Sequence, residues 1–139
     1  MTNDKRRIFG VEWTVKAIRG AITASDNTIE AIREAVTELL DELEARNKLD
    51  PELIISATFS VTRDLDAIFP AAIARQRPHW ENVPLLDVQH MYVQGDLERC
   101  IRFLIHVNVA SAHTEIYHPY LRHAKNLRPD LSFTSVGEW

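Results

Sequence analysis

Arginine placement is the feature of this chain that points to chemistry. Arg19 ends an alternating stretch beside Gly20, Arg75 follows Phe69-Pro70, Arg102 interrupts the apolar run CIRFLIHVNV, and Arg128 stands before a proline. A guanidinium is a permanent cation with a planar fork of donors, suited to gripping a carboxylate twice or to meeting negative charge as it develops. An arginine in a strand is ordinarily a solvated edge residue or an ion-pair partner. Arg102 is the exception, because apolar neighbours on both sides half-bury it and a half-buried guanidinium needs a bidentate acceptor. A second polar cluster, Asp87, Gln89 and His90, sits within PLLDVQHMYVQG among Leu85, Leu86, Val88, Met91 and Val93. Leaving such a group buried and unpaired costs about 1–3 kcal/mol, so each must face water or find a partner.

Other chemistries lack their signatures. There is no G-x-S-x-G, P-loop, G-x-G-x-x-G, H-E-x-x-H or C-x-x-C. His113, His118 and His123 are five apart, which puts successive members on different faces of a helix, so they read as surface histidines and no metal site is expected. The single cysteine, Cys100, cannot form an internal disulfide and reads as a small buried thiol.

A chain of 139 residues, 45% hydrophobic and 26% charged, suits one globular domain. Its net charge of −4 argues against a nucleic-acid-binding role, which ordinarily shows as a basic stripe, but not against a local arginine pocket for a small anion. With no long apolar run and no signal-peptide pattern at the start, the expectation is a soluble cytoplasmic protein without membrane attachment.

The elements that must carry these residues follow from periodicity. VEWTVKAIRGA alternates from Val11 to Ala21 as a half-buried strand. After it, Ile29, Ile32, Val36, Leu39, Leu40 and Leu43 mark one face of a helix, with Asn27 and Glu30 as its expected capping pair. LIISATFSVT is a second strand, and a short helix is expected from about Pro70 to Arg77, since proline suits a first helical turn. PLLDVQHM is the third strand, and CIRFLIHVNV a fourth, antiparallel to the third. A short helix started or interrupted by Pro119 precedes a tail expected to be partly mobile. The sum is one α+β domain. Its strands place large apolar residues on one face and arginine, histidine and asparagine on the other, so a second subunit is expected to cover that second face.

Five strings in register make the reading more specific: IRGAIT at 18–23, SVTRDLDAIFPAAIAR at 60–75, VPLLD at 83–87, CIR at 100–102 and LRPDLS at 127–132. Together they resemble the monofunctional chorismate mutases of the AroH class, over roughly residues 14–132. The resemblance implies a domain over 13–132 between an N-terminal extension, 1–12, and a tail, 133–139. It implies a mixed β-sheet packed with helices on one face, in a homotrimer forming a pseudo-α/β barrel with active sites at the subunit interfaces. The implied reaction is the Claisen rearrangement of chorismate to prephenate, on the route to phenylalanine and tyrosine, with no cofactor, nucleophile or proton transfer. The protein holds a flexible dicarboxylate in a reactive conformation and stabilises charge as the ether C–O bond breaks.

Residue by residue, Arg102 matches the arginine that touches the ether oxygen and the side-chain carboxylate. Arg19 matches a carboxylate-binding arginine, Tyr120 a tyrosine that hydrogen-bonds a substrate carboxylate, and Phe69 an apolar wall against the ring. Arg75 and Arg128 match cations at the site mouth, and Leu86 and Asp87 the lining near the ring hydroxyl. This chain departs from the family at two positions. Ala72 stands where a lysine is common, and His90 stands where a glutamate usually pairs with the catalytic arginine and accepts from the substrate hydroxyl. A neutral imidazole can accept a hydrogen bond and Asp87 can restore negative charge, but residues three apart in a regular strand face opposite ways, so the two meet one ligand only through a bulge, at a strand end, or by serving sites in different interfaces. If neutral His90 is an acceptor, activity falls as the pH drops through roughly 6.5. The two departures also motivate a second reading, a trimer of this fold that binds a dicarboxylate or a protein partner without catalysis. A third has the arginines serving only as interface ion pairs.

Overall fold

The computed structural model describes residues 12–134. Residues 1–11 of the expected extension, 1–12, and residues 135–139 of the expected tail, 133–139, lie outside the described residues. In chain order the elements are β1 (Thr14–Thr23), α1 (Ile29–Asn47), β2 (Ile54–Val61), α2 (Pro70–Arg75), β3 (Leu85–Gln89), β4 (Cys100–Val109) and α3 (Pro129–Thr134). Short 3-10 turns occupy Pro51–Leu53 and Arg122–Leu127.

The strands form one mixed sheet in the order β1-β4-β2-β3. β4 is antiparallel to both β1 and β2, while β2 and β3 are parallel. β4 therefore runs opposite to β3, as the sequence suggests, but not beside it. The span between β2 and β3 contains α2 and returns the chain in the same direction, as a parallel pair requires, and β4 docks on the other side of β2.

Alternation divides the residues of the sheet. Ile18 and Ile22 of β1, Ala57 and Phe59 of β2, and Ile101, Phe103, Ile105 and Val107 of β4 are buried with Ile32, Val36, Leu39, Leu40 and Leu43 of α1. At roughly 1.5–3 kcal/mol for each large side chain removed from water, this layer supplies most of the driving force for folding. Phe59 and Phe103 meet edge to face with centroids 6.3 Å apart. At Gly20 an added Cβ would lie 2.6 Å from the Phe103 ring and 2.7 Å from the Pro119 carbonyl oxygen, so only glycine fits.

Several local expectations shift by a residue or two. The cap of α1 is Thr28, whose hydroxyl accepts from the Ala31 amide at 3.0 Å. Asn27 instead ties down the 66–67 backbone, accepting from the Asp66 and Ala67 amides. Ile29 is the first helical residue and is largely exposed, ahead of the buried turns that begin at Ala31. α2 stops at Arg75, and Arg77 leaves the helix to place Nε and a terminal nitrogen on Glu44 at 3.0 and 2.8 Å, beside the buried Trp80 indole that donates to the same carboxylate. No helix starts at Pro119, because residues 119–121 bond to the edge of β1: Ala21 N donates to Pro119 O and Leu121 N to Ala21 O, each at 2.9 Å.

The opposite face of the sheet carries mixed rows. Arg19, Leu104, Thr58 and Leu86 form one row in register, and Ala21, Arg102, Ser60 and Val88 the next. Leu86 is 58% exposed, Leu104 45% and Val88 40%. Near one end, Tyr120 and Ala124 cover Ala21 and Cys100.

Candidate active site

Arg102 lies in the centre of the sheet, between Ala21 and Ser60. Its neighbours Ile101 and Phe103 turn into the core, which leaves the guanidinium on the opposite face, partly covered by protein. One terminal nitrogen is 3.8 Å from Asp96 Oδ2. Arg102 Nε is buried and has no hydrogen-bond partner among the described residues. The bidentate acceptor that such an arginine needs is therefore not supplied by the fold around it.

Three more of the expected residues gather here. The 118–121 segment runs beside β1 and makes a parallel bridge between Ala21 and Tyr120. This places the Tyr120 phenol in the field of Arg19, Arg128 and Arg102; burial pushes its pKa up, and the three cations oppose that rise. Arg128, at the start of α3, is oriented by Asp130 through bonds of 3.0 and 2.7 Å.

His90 follows β3, its amide extending the ladder to Val61 O at 3.1 Å and its Nδ1 lying 3.4 Å from Ser60 Oγ. Burial lowers its pKa and Arg102 lowers it further, against Asp96 and Asp64, which raise it. It lines a cleft with Thr62, Arg63, Asp64, Tyr92 and Asp96. In that cleft Arg63 stacks 3.6 Å from the centre of the Tyr92 ring.

Asp87 lies elsewhere. It pairs in register with Phe59, on the helix side of the sheet edge, and its Oδ1 accepts from the Ala71 amide at 3.0 Å. In effect it caps α2, whose own N-cap residue, Phe69, has no polar side chain. Burial raises the Asp87 pKa, opposed by that amide bond and by Arg75. Phe69, 70% exposed, lines a second cleft together with Asp87, Pro70, Val61 and Val88. Leu86 lies on the open sheet face and does not line that cleft. One subunit thus holds two groups, Arg19, His90, Arg102, Tyr120 and Arg128 in one and Phe69, Arg75 and Asp87 in the other, with Asp87 and His90 in separate clefts.

Two contributors were not expected from the sequence. His118, read as a surface residue, is partly buried, and its Nδ1 accepts from the Arg19 amide at 3.0 Å. Burial lowers its pKa, with Arg19 and Arg128 adding to the effect. Its signal in the sequence was its place beside Pro119-Tyr120 rather than its spacing from other histidines. Asp96 was visible only as a turn residue after Gly95. Cys100, in contrast, is the buried thiol that was expected, its pKa pushed up to about 11 by burial.

A mixed sheet covered by helices on one side, with a cluster of arginines and a tyrosine on the other, defines an α+β domain with a local cationic face. Residues 15–131 match the family model for chorismate mutase type I, and the chain belongs to that family. It is 38% identical over 124 residues to the chorismate mutase AroH of Bacillus subtilis, covering 89% of this chain and 98% of that protein. It is 44% identical over 118 residues to the AroH protein of Thermus thermophilus, covering 84% and 96%. A solved chorismate mutase structure from Clostridium thermocellum superposes with a TM-score of 0.75 at 44% identity, covering 80% of this chain and 98% of that one.

Proposed function

We propose that this chorismate mutase converts chorismate to prephenate in a site completed between copies of the chain, with Arg102 as the principal catalytic residue. The observation that carries this is the Arg102 guanidinium, half-buried in the sheet with a donor edge unsatisfied, beside Arg19, Tyr120 and Arg128. The rearrangement moves electrons within one molecule, so the protein's tasks are to select a conformation and to stabilise charge. Arg19, Tyr120 and Arg128 hold the carboxylates and bring the enolpyruvyl arm over the ring. The accessible end of the Arg102 guanidinium meets the ether oxygen, where charge grows as the C–O bond breaks, so it acts mainly on the transition state. Family membership favours this reading over binding without turnover.

The proposal includes a homotrimer. Phe69 and Asp87 line a different cleft from the one that His90 and Asp96 line, and the sheet face that carries Leu86, Leu104 and Val88 is apolar enough to seek cover. In a cyclic assembly the Phe69–Asp87 group of one copy faces the Arg102 group of the next, with Phe69 as the apolar wall, Asp87 near the ring hydroxyl and Arg75 at the mouth. His90 then serves as a neutral acceptor from the Arg102 side. The proposal also places the protein in the cytoplasm, a reducing compartment that suits the buried free thiol of Cys100. Adding chorismate to the purified protein and following its loss as prephenate appears tests the central claim. No acceleration over buffer would overturn it.

A further inference from the structure

By the resemblance, His90 stands where the family carries a glutamate that pairs with the arginine at position 102, which leaves the question of what balances Arg102. Other carboxylates nearby are committed. Asp64 accepts from Thr62 Oγ1 and, at 2.9 Å, from the Arg99 amide. Glu98 pairs with Arg99 at 3.7 Å, and Asp87 caps α2 from the other side of the sheet. Asp96 alone is within ion-pair distance of Arg102 among the described residues, at 3.8 Å.

Its position is built by the chain around it. Asp96 N closes a turn onto Val93 O at 3.0 Å, with Gly95 at φ 85°, the left-handed conformation that favours glycine. Asp96 Oδ1 then accepts from the Leu97 amide at 2.8 Å, which orients the carboxylate and leaves Oδ2 toward Arg102. We infer that Asp96 is a positioning residue for Arg102, supplying from the turn before β4 the counter-charge that the family supplies from the position of His90. At 3.8 Å it opposes the guanidinium's charge and biases the orientation of the terminal nitrogens, the part of Arg102 that is not buried. This inference rests on the chorismate mutase reading.

The test compares Asp96→Asn, Asp96→Glu and the double variant Asp96→Asn/His90→Glu with the wild type in chorismate turnover. Asp96→Asn is expected to lower kcat about 10- to 100-fold with a smaller change in KM, because it misplaces a transition-state contact. Asp96→Glu should restore part of that loss, and the double variant more, since its carboxylate returns at position 90. A second readout is the NMR titration of the His90 ring, which faces Ser60, Arg102, Asp96 and Asp64. Loss of the Asp96 charge should lower its midpoint. Wild-type kcat in Asp96→Asn, or a double variant no better than Asp96→Asn, would overturn the inference. If the wild type does not turn over chorismate, the parent reading fails and the positioning role falls with it, whereas turnover by the wild type together with an unchanged kcat in Asp96→Asn overturns the inference alone.

Discussion

On the proposed role of Arg102 as the donor that meets developing charge, Arg102→Gln should lower kcat and kcat/KM together by about 10²–10³-fold. Steady-state kinetics on an assembled variant, compared by sedimentation with the wild type, would separate this from a purely structural arginine, whose loss would disrupt assembly first. The His90 environment sharpens the expected pH profile. Burial and Arg102 disfavour its protonated form, so the acid limb of activity should lie below pH 6.5 rather than at it. The same sign holds for stability. Between the unfolded value of 6.5 and the lowered folded value, the unfolded chain binds more protons, so the neutral ring's contribution is present above 6.5 and lost as the pH falls through that window. A kcat/KM profile centred at or above 6.5 would remove His90 as its cause. Cys100 has the opposite prospect: a buried thiol with a pKa near 11 should resist iodoacetamide at pH 8 in the native protein and react on unfolding. Rapid native alkylation, read by mass spectrometry, would contradict its burial.

Gly20 shows how one element holds another. A methyl group there meets both the Phe103 ring and the backbone at Pro119, so Gly20→Ala should cost about 1–3 kcal/mol in denaturant unfolding and displace the 118–121 segment, weakening substrate binding through Tyr120 and Arg19. A variant of unchanged stability and KM would mean that the segment adjusts freely. The strands were legible because their alternation is local: Ile101, Phe103, Ile105 and Val107 face inward as their spacing requires. Their partners were not, because the insertion of β2 between β3 and β4 depends on long-range packing that no short window encodes. The cap of α1 was missed by one residue because Asn27 and Thr28 are both competent caps, and the competing bonds from residues 66 and 67 decide between them. Of the candidate site, the arginines were legible through their strings and Tyr120 through its match to a family position. His118 was not, since its role is a single bond to the β1 edge. Asp96 was not, since a turn aspartate looks alike whether or not an arginine lies 3.8 Å away.

At the scale of the whole molecule, the two residue groups predict complementation. Phe69 is exposed in the single chain, so Phe69→Asp should fold while repelling a dicarboxylate from its half of the site. Mixing it with Arg102→Gln under conditions that exchange subunits should recover activity in those sites that draw an intact half from each copy. Recovery absent despite proven exchange would place the complete site within one subunit. The separation of Asp87 and His90 into different clefts also bears on how the protein is handled. If the site is completed between copies, as proposed, a lone chain can be perfectly folded, with every functional side chain present, and still be inert. Specific activity then depends on protein concentration, falling on dilution with the steepness of an association equilibrium and recovering on concentration, so a very dilute assay can mistake a sound enzyme for a dead one.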